Sequence, residues 1–527
     1  MRKELIITAC ALLVMAKAGA QSQYDAARFM GSELNGTARF VGMGGAMGAL
    51  GGDISVMGTN PAGIGIYRSN DVAFSFGFNN TAAKSNFNAS VMKDDRTRAS
   101  FDQIGFVYSN KIGNNTSLRY VNFGFNYQKR KNFNKVFSMG GNLDGFSQTW
   151  QMATMLNTLD NFGEQDFDAL WDAGNPYTSS NWYGVPYLSA MGVRTGLVTY
   201  EGGEPRMWGW NGANNNYYSR EEGGINQYDF NVAFNIEDRV YLGATLGVYD
   251  VNYTRYSSYT ENLLDDKGAD NGYYNLENWM NTEGTGIDLK LGIIARPFES
   301  SPFRIGFAVH TPVWYDLTDR YTANLYADVL TMEAPINENL SDYLKPEYVW
   351  SYQLTTPWKF NVNMGTTIGN SIALGAEYEY EDYSAAKLED TDGRELNGTE
   401  AIKQTLQGIH TLRFGLEARI APQFSFRAGY NYQTAAFVGD SFKNVVDDET
   451  RPDSEYNNTK SKNTFTFGLG YRGSIIYADL AYKYDMYKSN FYAFEDYRES
   501  SGQLEYLPAT KVDNSRHQLL LTIGARF

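Results

Sequence analysis

The stretch "NPAGIGIYRSNDVAFSFGF", residues 60–78, changes character at Asn70. Its first half is glycine, proline and small apolar residues. From Asp71 onward apolar and small residues alternate. Val72, Phe74, Phe76 and Phe78 fall on one face; Ala73, Ser75 and Gly77 fall on the other. A period of two puts successive side chains on opposite faces of a β-strand. The segment therefore reads as a small-residue knot tied directly to the start of a strand.

The same alternation recurs in "YVNFGFNYQ" (120–128), "LRFGLEARI" (412–420), "FSFRAGYNY" (424–432) and "TFTFGLGY" (464–471). One face is apolar and aromatic, and the other carries Gly, Asn, Arg and Glu. A soluble sandwich would turn the apolar face inward, and a membrane barrel would turn it to lipid. Alternation alone does not separate the two, but strand count and connection lengths do. Fourteen strands are predicted between residue 71 and the end. Short links ("KIGNN", "IED", "FESSP", "IGN", "IAPQ", "RGS") alternate with long ones near 83–100, 140–224, 256–284, 318–347, 384–407, 437–462 and 489–514. Short turns on one rim and long loops on the other are the outer-membrane pattern. The last strand, "HQLLLTIGARF" (517–527), alternates up to a terminal Phe.

Composition agrees. The chain has 527 residues, 39 Tyr and 31 Phe, yet a mean hydropathy of −0.44. It opens "MRKELIITACALLVMAKAGAQ": Arg2 and Lys3, an apolar run, then Ala18-Gly19-Ala20. This reads as a signal peptide over 1–20. "ITAC" imitates a lipoprotein site, but Cys10 lies inside the apolar run. Cys10 is the only cysteine, so the mature chain has no disulfide, no thiolate metal site and no Cys nucleophile. A net charge of −15 speaks against nucleic acid as a partner. Three histidines, with no G-x-S-x-G and no H-E-x-x-H, give no catalytic residues, metal site or cofactor to predict.

The segment 21–70 holds "GMGGAMGALGGDISVMGTNPAGIG". No strand leads into it and no Gly-Lys-Ser/Thr follows, so a phosphate loop is not expected. Small residues allow close backbone packing. A segment of this kind fits the lumen of a wide barrel as a plug. "ALGGDISVMGTNPAGIGIYRSNDVAFS" resembles the N-terminal hatch of the FadL/TodX long-chain fatty acid transporter family, whose Asn-Pro-Ala motif would here be Asn60, Pro61 and Ala62. "HTPVWYDL" (310–317) and "TTPWKFNVNMG" (355–365) also resemble Thr-Pro turns of Bacteroidetes-like members. The resemblance implies an all-β, fourteen-stranded antiparallel transmembrane β-barrel in a Gram-negative outer membrane. It also implies a lumenal plug, a side opening to the membrane, and import of fatty acids or other hydrophobic molecules.

The expected organisation is a signal peptide over 1–20, a plug over 21–70 and a barrel over 71–527. The expected partners are hydrophobic small molecules and outer-membrane lipid, and the expected state is a monomer. The 140–224 link is too long for an unstructured loop. Within it Trp150, Met152, Met155, Leu156, Leu159 and Phe162 form a helical stripe that Leu170 and Trp171 continue. Such a stripe either packs as the core of a lid or captures ligand. The lumen-facing charges Arg413, Arg419, Arg427, Glu377 and Glu379 either tie plug to wall or, through one Arg, meet a ligand carboxylate. Two other functions fit a barrel of this size: a scaffold in a protein-secretion assembly, and a general porin.

Overall fold

The computed structural model describes residues 21–527 except 183, 202–205, 370, 440, 444–448 and 501–502. The predicted signal peptide lies outside the described residues. A closed antiparallel barrel of fourteen strands surrounds the N-terminal segment. Strands β1 (Asp71–Phe87) and β2 (Ser90–Lys111) form a hairpin. β3 comes in two pieces, Leu118–Asn132 and Lys135–Gly145, followed by β4 (Asn211–Ile236), β5 (Val240–Leu264) and β6 (Asp270–Ala295). β7 (Arg304–His310 and Trp314–Val329) and β8 (Tyr348–Thr355 and Lys359–Ile368) are also divided. β9 (Ile372–Asp382), β10 (Gly408–Ala421), β11 (Phe424–Gln433), β12 (Tyr456–Arg472), β13 (Ile476–Tyr492) and β14 (Thr510–Arg526) complete the wall. β14 pairs with β1 from Asp71↔Arg526 to Asn86↔Lys511, and Asn70 exchanges both backbone hydrogen bonds with Phe527. No sheet edge remains along this closure.

The side-chain directions settle what alternation left open. Val72, Phe74, Phe76 and Phe78 are 40–57% exposed, while Ala73 and Ser75 between them are buried. The lumen face carries buried Gln103, Asn122, Asn126, Gln227, Asp229 and Asn231. Greasy outside and polar inside is the order of a barrel in lipid. Among the described residues no helix is long and apolar enough to cross a membrane.

Several predicted long loops are continuations of strands. β1 and β2 are joined only by Asn88 and Ala89, both at positive φ, so the expected 83–100 loop is a hairpin. That left-handed pair matches the twist of two-residue hairpin turns. β5 and β6 likewise reach Leu264 and restart at Asp270, and the long link after β3 is confined to 146–210. Beyond the lipid both faces are wet, so the apolar period disappears while the backbone ladder runs on.

The two Thr-Pro segments are kinks inside strands rather than turns. Pro312 and Pro357 interrupt β7 and β8 side by side, because proline has no N–H for the ladder. The threonines repair the damage: Thr311 Oγ1 accepts from Leu289 N (3.0 Å) and Thr356 Oγ1 from Val313 N (2.8 Å).

Residues 21–70 fill the lumen with helices α1 (Gln23–Met30) and α2 (Ala38–Gly42) and tight turns over Ile54–Gly58 and Pro61–Ile66. Wall glycines at inward positions make this fit. Gly375, Gly415 and Gly429 pair in register across β9, β10 and β11. A Cβ on Gly375 would overlap the Ala46 carbonyl, one on Gly415 the Met43 carbonyl, and one on Gly429 the Gly44 amide. Here glycine marks where another backbone comes close.

Gly375→Val should displace the Met43–Leu50 turn at a cost of about 1–3 kcal/mol. The expected readings are a lower heat-unfolding temperature of the purified protein and a higher single-channel conductance in planar bilayers.

Candidate functional site

Asn60 closes the lower plug. Its Oδ1 caps the following turn by accepting from Ala62 N (3.1 Å), while Nδ2 donates to Asn363 Oδ1 (3.2 Å) and the Ile293 carbonyl (3.4 Å). The side chain is fully buried. Pro61 occupies the first helical position, where its missing N–H costs nothing, and its carbonyl accepts from Asn231 Nδ2 (3.4 Å). One amide thus shapes the plug turn and ties it to β6 and β8.

The lumen charges divide into satisfied pairs. Arg413 binds Glu377 (2.6 Å) and Glu379 (2.8 Å), and Arg427 binds Glu417 and Asp479 (both 2.6 Å). Arg39 of the plug reaches Glu417 (2.9 Å), so this wall network also holds the plug. Arg419 sits exposed near the lower rim and faces no lumenal ligand. Arg413 and Arg427 already have carboxylate partners, which leaves them poorly placed to receive another anion.

The long link after β3 forms helices α3 (Gln148–Asn157), α4 (Glu164–Trp171) and α5 (Tyr187–Arg194). Met152, Leu156 and Leu170 are fully buried in a cluster with Leu188, Met191 and Val193. Leu159, Phe162 and Trp171 pack against it half-buried; Met155 is half-buried, and Trp150 stands edge-on to Trp208 at 5.5 Å. The cluster continues into upper wall residues Phe137, Tyr217, Tyr274 and Phe491. The stripe is therefore mostly the core of a lid seated on the barrel mouth. Asp496 Oδ2 receives Ser147 N at the start of α3 (2.9 Å), and burial pushes this carboxyl up to about 7.

Between the plug and the upper wall lies a cavity of about 290 Å³, lined by Tyr24, Phe133, Phe137, Tyr217, Phe437 and Phe491 and flanked by the cations Arg28, Lys131, Lys135, Arg255 and Arg516 and the carboxylates Glu33, Glu221 and Glu455. Phe137, Tyr217 and Phe491 pack with centroids 4.8–6.1 Å apart, and Tyr24 stacks on Phe437 at 4.9 Å. Through Ala27, Lys131, Ala436 and Arg516 it adjoins a second space of about 200 Å³. Glu33, Gln433 and Lys462 then line both this space and a polar one of about 80 Å³ beside His310 and Arg413. The series descends from aromatic to polar. Lys462 has no ion pair among the described residues.

None of the eight lid residues predicted for capture lines the aromatic cavity. Its own aromatics are scattered from Tyr24 to Phe491, and sequence spacing gives no reason to group them. The only signal is parity, as in "KVFSMGG" (135–141), which turns Phe137 and Met139 away from lipid.

Two contacts fix α1 at the cavity wall. Asp25 binds Arg451 (2.8 Å) of the β11–β12 loop, Arg451 binds Asp453 (2.7 Å), and Asp453 binds Arg255 of β5 (2.7 Å). Burial raises the Asp25 carboxyl, but Arg451 and Arg28 outweigh it and hold Asp25 well below the usual carboxylate range. The second contact lies at a flaw in the barrel. The β2–β3 ladder stops at Gln103↔Gln128, and above it β3 pairs with β4 alone. The plug occupies the gap: Glu33 N donates to the Arg130 carbonyl (2.9 Å), and Asn35 Nδ2 to the Lys129 carbonyl and Asp102 Oδ1 (both 3.0 Å). Among the described residues no group of three His, Cys, Asp or Glu is arranged to hold a metal.

No protein-family profile and no curated protein matches the chain. Solved structures do. A FadL homologue from Pseudomonas aeruginosa aligns with a TM-score of 0.51 at 12% identity, over 94% of this chain and 99% of that one. The Pseudomonas putida toluene transporter TodX gives 0.47 at 11% identity, with the same coverage. The monoaromatic hydrocarbon channel CymD gives 0.45 at 12%, again with the same coverage. The chain has the FadL-family fold, as the hatch resemblance implied.

Two outcomes follow. Asn60→Ala uncaps the Pro61–Ile66 turn and strips a partner from Asn363, at about 1–2 kcal/mol; leakage through planar bilayers should rise. Asp496 holds a proton in the folded lid over a range where the unfolded chain has lost it. The lid contact is therefore most stable near pH 4, weakens as pH rises towards about 7, and is level above that. Hydrogen exchange of residues 147–157, corrected for intrinsic rate, should be faster at pH 8 than at pH 5, and Asp496→Asn should remove the difference.

Proposed function

We propose that this protein lets hydrophobic or amphipathic small molecules cross the outer membrane by diffusion, with the plug acting as a gate. The observation that carries the reading is the aromatic-lined cavity between plug and upper wall, with the unladdered β2–β3 seam beside it. An apolar solute gains roughly 25 cal/mol for each Å² it buries, so an aromatic chamber captures what a watery pore rejects. Passage down the polar lower lumen would reverse that gain. Exit sideways keeps the solute out of water.

Glu33 and Asn35 are the residues in the way. Their hydrogen bonds to the Arg130 and Lys129 carbonyls satisfy backbone that the β2–β3 break leaves free, and Asn35 also binds the Asp102 carboxylate. Withdrawal of the Gly31–Asn35 segment opens the seam from the cavity to the acyl chains. The Asp25–Arg451 pair anchors α1 just before it and sets how readily it moves.

Long-chain fatty acid is the amphipathic substrate that fits best. Lys462 at the foot of the cavity series is a half-buried cation with no ion pair among the described residues, which suits a carboxylate.

Mass spectrometry of ligands carried through mild detergent extraction tests the reading directly. Fatty acid or another hydrophobe should be present and should be lost in Phe133→Asp/Phe491→Asp. A stoichiometric protein partner and no hydrophobe would favour a secretion scaffold. Lys462→Gln should weaken fatty acid binding about tenfold and leave toluene binding unchanged; equal loss of both would remove the carboxylate role.

A further inference from the structure

Outside the barrel, one band of charge runs against the overall acidity of the chain. The register places Lys93 of β2 opposite Lys84 of β1, Lys84 opposite Asp513 of β14, and Asp513 opposite Lys488 of β13. Lys460 of β12 follows at a bulge, where Thr459↔Ser489 gives way to Lys462↔Tyr487. Four lysines and one aspartate thus form a row across five neighbouring strands, spanning the junction where the barrel closes. All five side chains are exposed. Adjacent strands lie about 4.8 Å apart, so the row is roughly 20 Å long.

Three carboxylates, Asp94, Asp95 and Asp513, share the groove with the four lysines, which leaves one positive charge in excess. Asp513 faces Lys488 at 3.6 Å. Asp94 accepts from Ser138 N (2.7 Å), and Asp95 from Asn80 Nδ2 (3.2 Å). Lys84, Lys93 and Lys460 have no ion pair among the described residues. The opposite side of the barrel differs: there the outward residues include Asp250 of β5, Glu283 of β6 and Asp316 of β7.

Height decides what the row meets. Outward residues of β1 are apolar from Val72 to Phe78, and Lys84 lies twelve residues above Val72. At about 3.4 Å per residue and a tilt near 40°, that puts Lys84 roughly 30 Å up, just above an apolar band about 25 Å tall, with the height along the row changing by about 3 Å per strand. Directly below the row, Ala82, Ser515 and Met486 border an open groove of about 610 Å³ that the lysines flank. Below that, His517 stacks on Tyr484 at 4.7 Å, and Leu519 begins the greasy surface. From top to bottom the surface offers cations, a small-residue notch, a ring stack and an apolar wall. That is the order of phosphate, linker and acyl chain in a lipid.

We propose that this row is a docking site for a phosphate-bearing lipid of the leaflet on the long-loop side. The inference rests on the membrane placement of the barrel and is independent of what the lumen carries. A fixed anionic lipid would neutralise the lysine row and brace β12, β13, β14, β1 and β2 across the closure.

The test uses the full protein in detergent micelles doped equally with phosphatidylglycerol and phosphatidylcholine of the same acyl chains, read by native mass spectrometry. Retained phosphatidylglycerol should exceed phosphatidylcholine about tenfold. Lys84→Gln/Lys93→Gln/Lys488→Gln should bring the two to parity. Lys267→Gln/Lys387→Gln/Lys403→Gln removes the same charge from the loops and should leave the preference intact. The proposal falls if the wild type shows no preference, if both triple variants lose it equally, or if inorganic phosphate in excess displaces the lipid completely. The last result would make the row a free-phosphate site.

Discussion

A backbone N–H or C=O facing hydrocarbon has no water to turn to. This constraint governs the whole wall. It is met by the unbroken β1–β14 closure and by the long ladders of β4, β5 and β6. The instructive places are the breaks. At Pro312 and Pro357, the hydroxyls of Thr311 and Thr356 stand in for the missing ladder. Above Gln103 the β2–β3 ladder ends, and there the plug supplies Glu33 N and Asn35 Nδ2 instead. One break is repaired within the wall and is permanent. The other is repaired by a separate segment, the plug, which is not part of the wall.

Plug and wall are fitted in two chemically different ways. Where Gly375, Gly415 and Gly429 face inward, backbone meets backbone with no side chain between. Elsewhere buried ions join them, as in Arg39–Glu417 and Asp25–Arg451. Buried ion pairs are weak contributors to stability because desolvation offsets their attraction, but breaking one by removing a partner is costly. They therefore fix where the plug sits more than how tightly the barrel holds together. The glycine contact supplies closeness and the ion pairs supply position.

The barrel was legible because its physics is local. Alternation in "DVAFSFGF" or "TFTFGLGY" follows from one face meeting lipid, and the short lower turns carry their own turn residues. Legibility failed where that cause was absent. The strand extensions around Asn88 and beyond Tyr253 lie above the lipid, so nothing imposes an apolar period there. Thr311-Pro312 and Thr356-Pro357 read as turns through the family resemblance; hydroxyls on the two neighbouring strands bind the adjoining backbone and keep the strands going. The helical stripe at Trp150–Phe162 was visible as a stripe, but whether it faces ligand or its own neighbours depends on α5 and the wall beneath, residues far away in the chain.

The sequence by itself determined the strand count and which residues of each strand share a face, since both follow from neighbours within a few residues; the Asn-Pro-Ala turn of the plug was legible only through its resemblance to a known hatch. Only the tertiary structure decided which lumenal arginines are already paired, which aromatics converge on one cavity and where the ladder of the wall stops. Those depend on contacts such as Tyr24 with Phe437 or Asn35 with Lys129, between groups up to about four hundred residues apart. No periodicity encodes such contacts, because closing the barrel is what creates them.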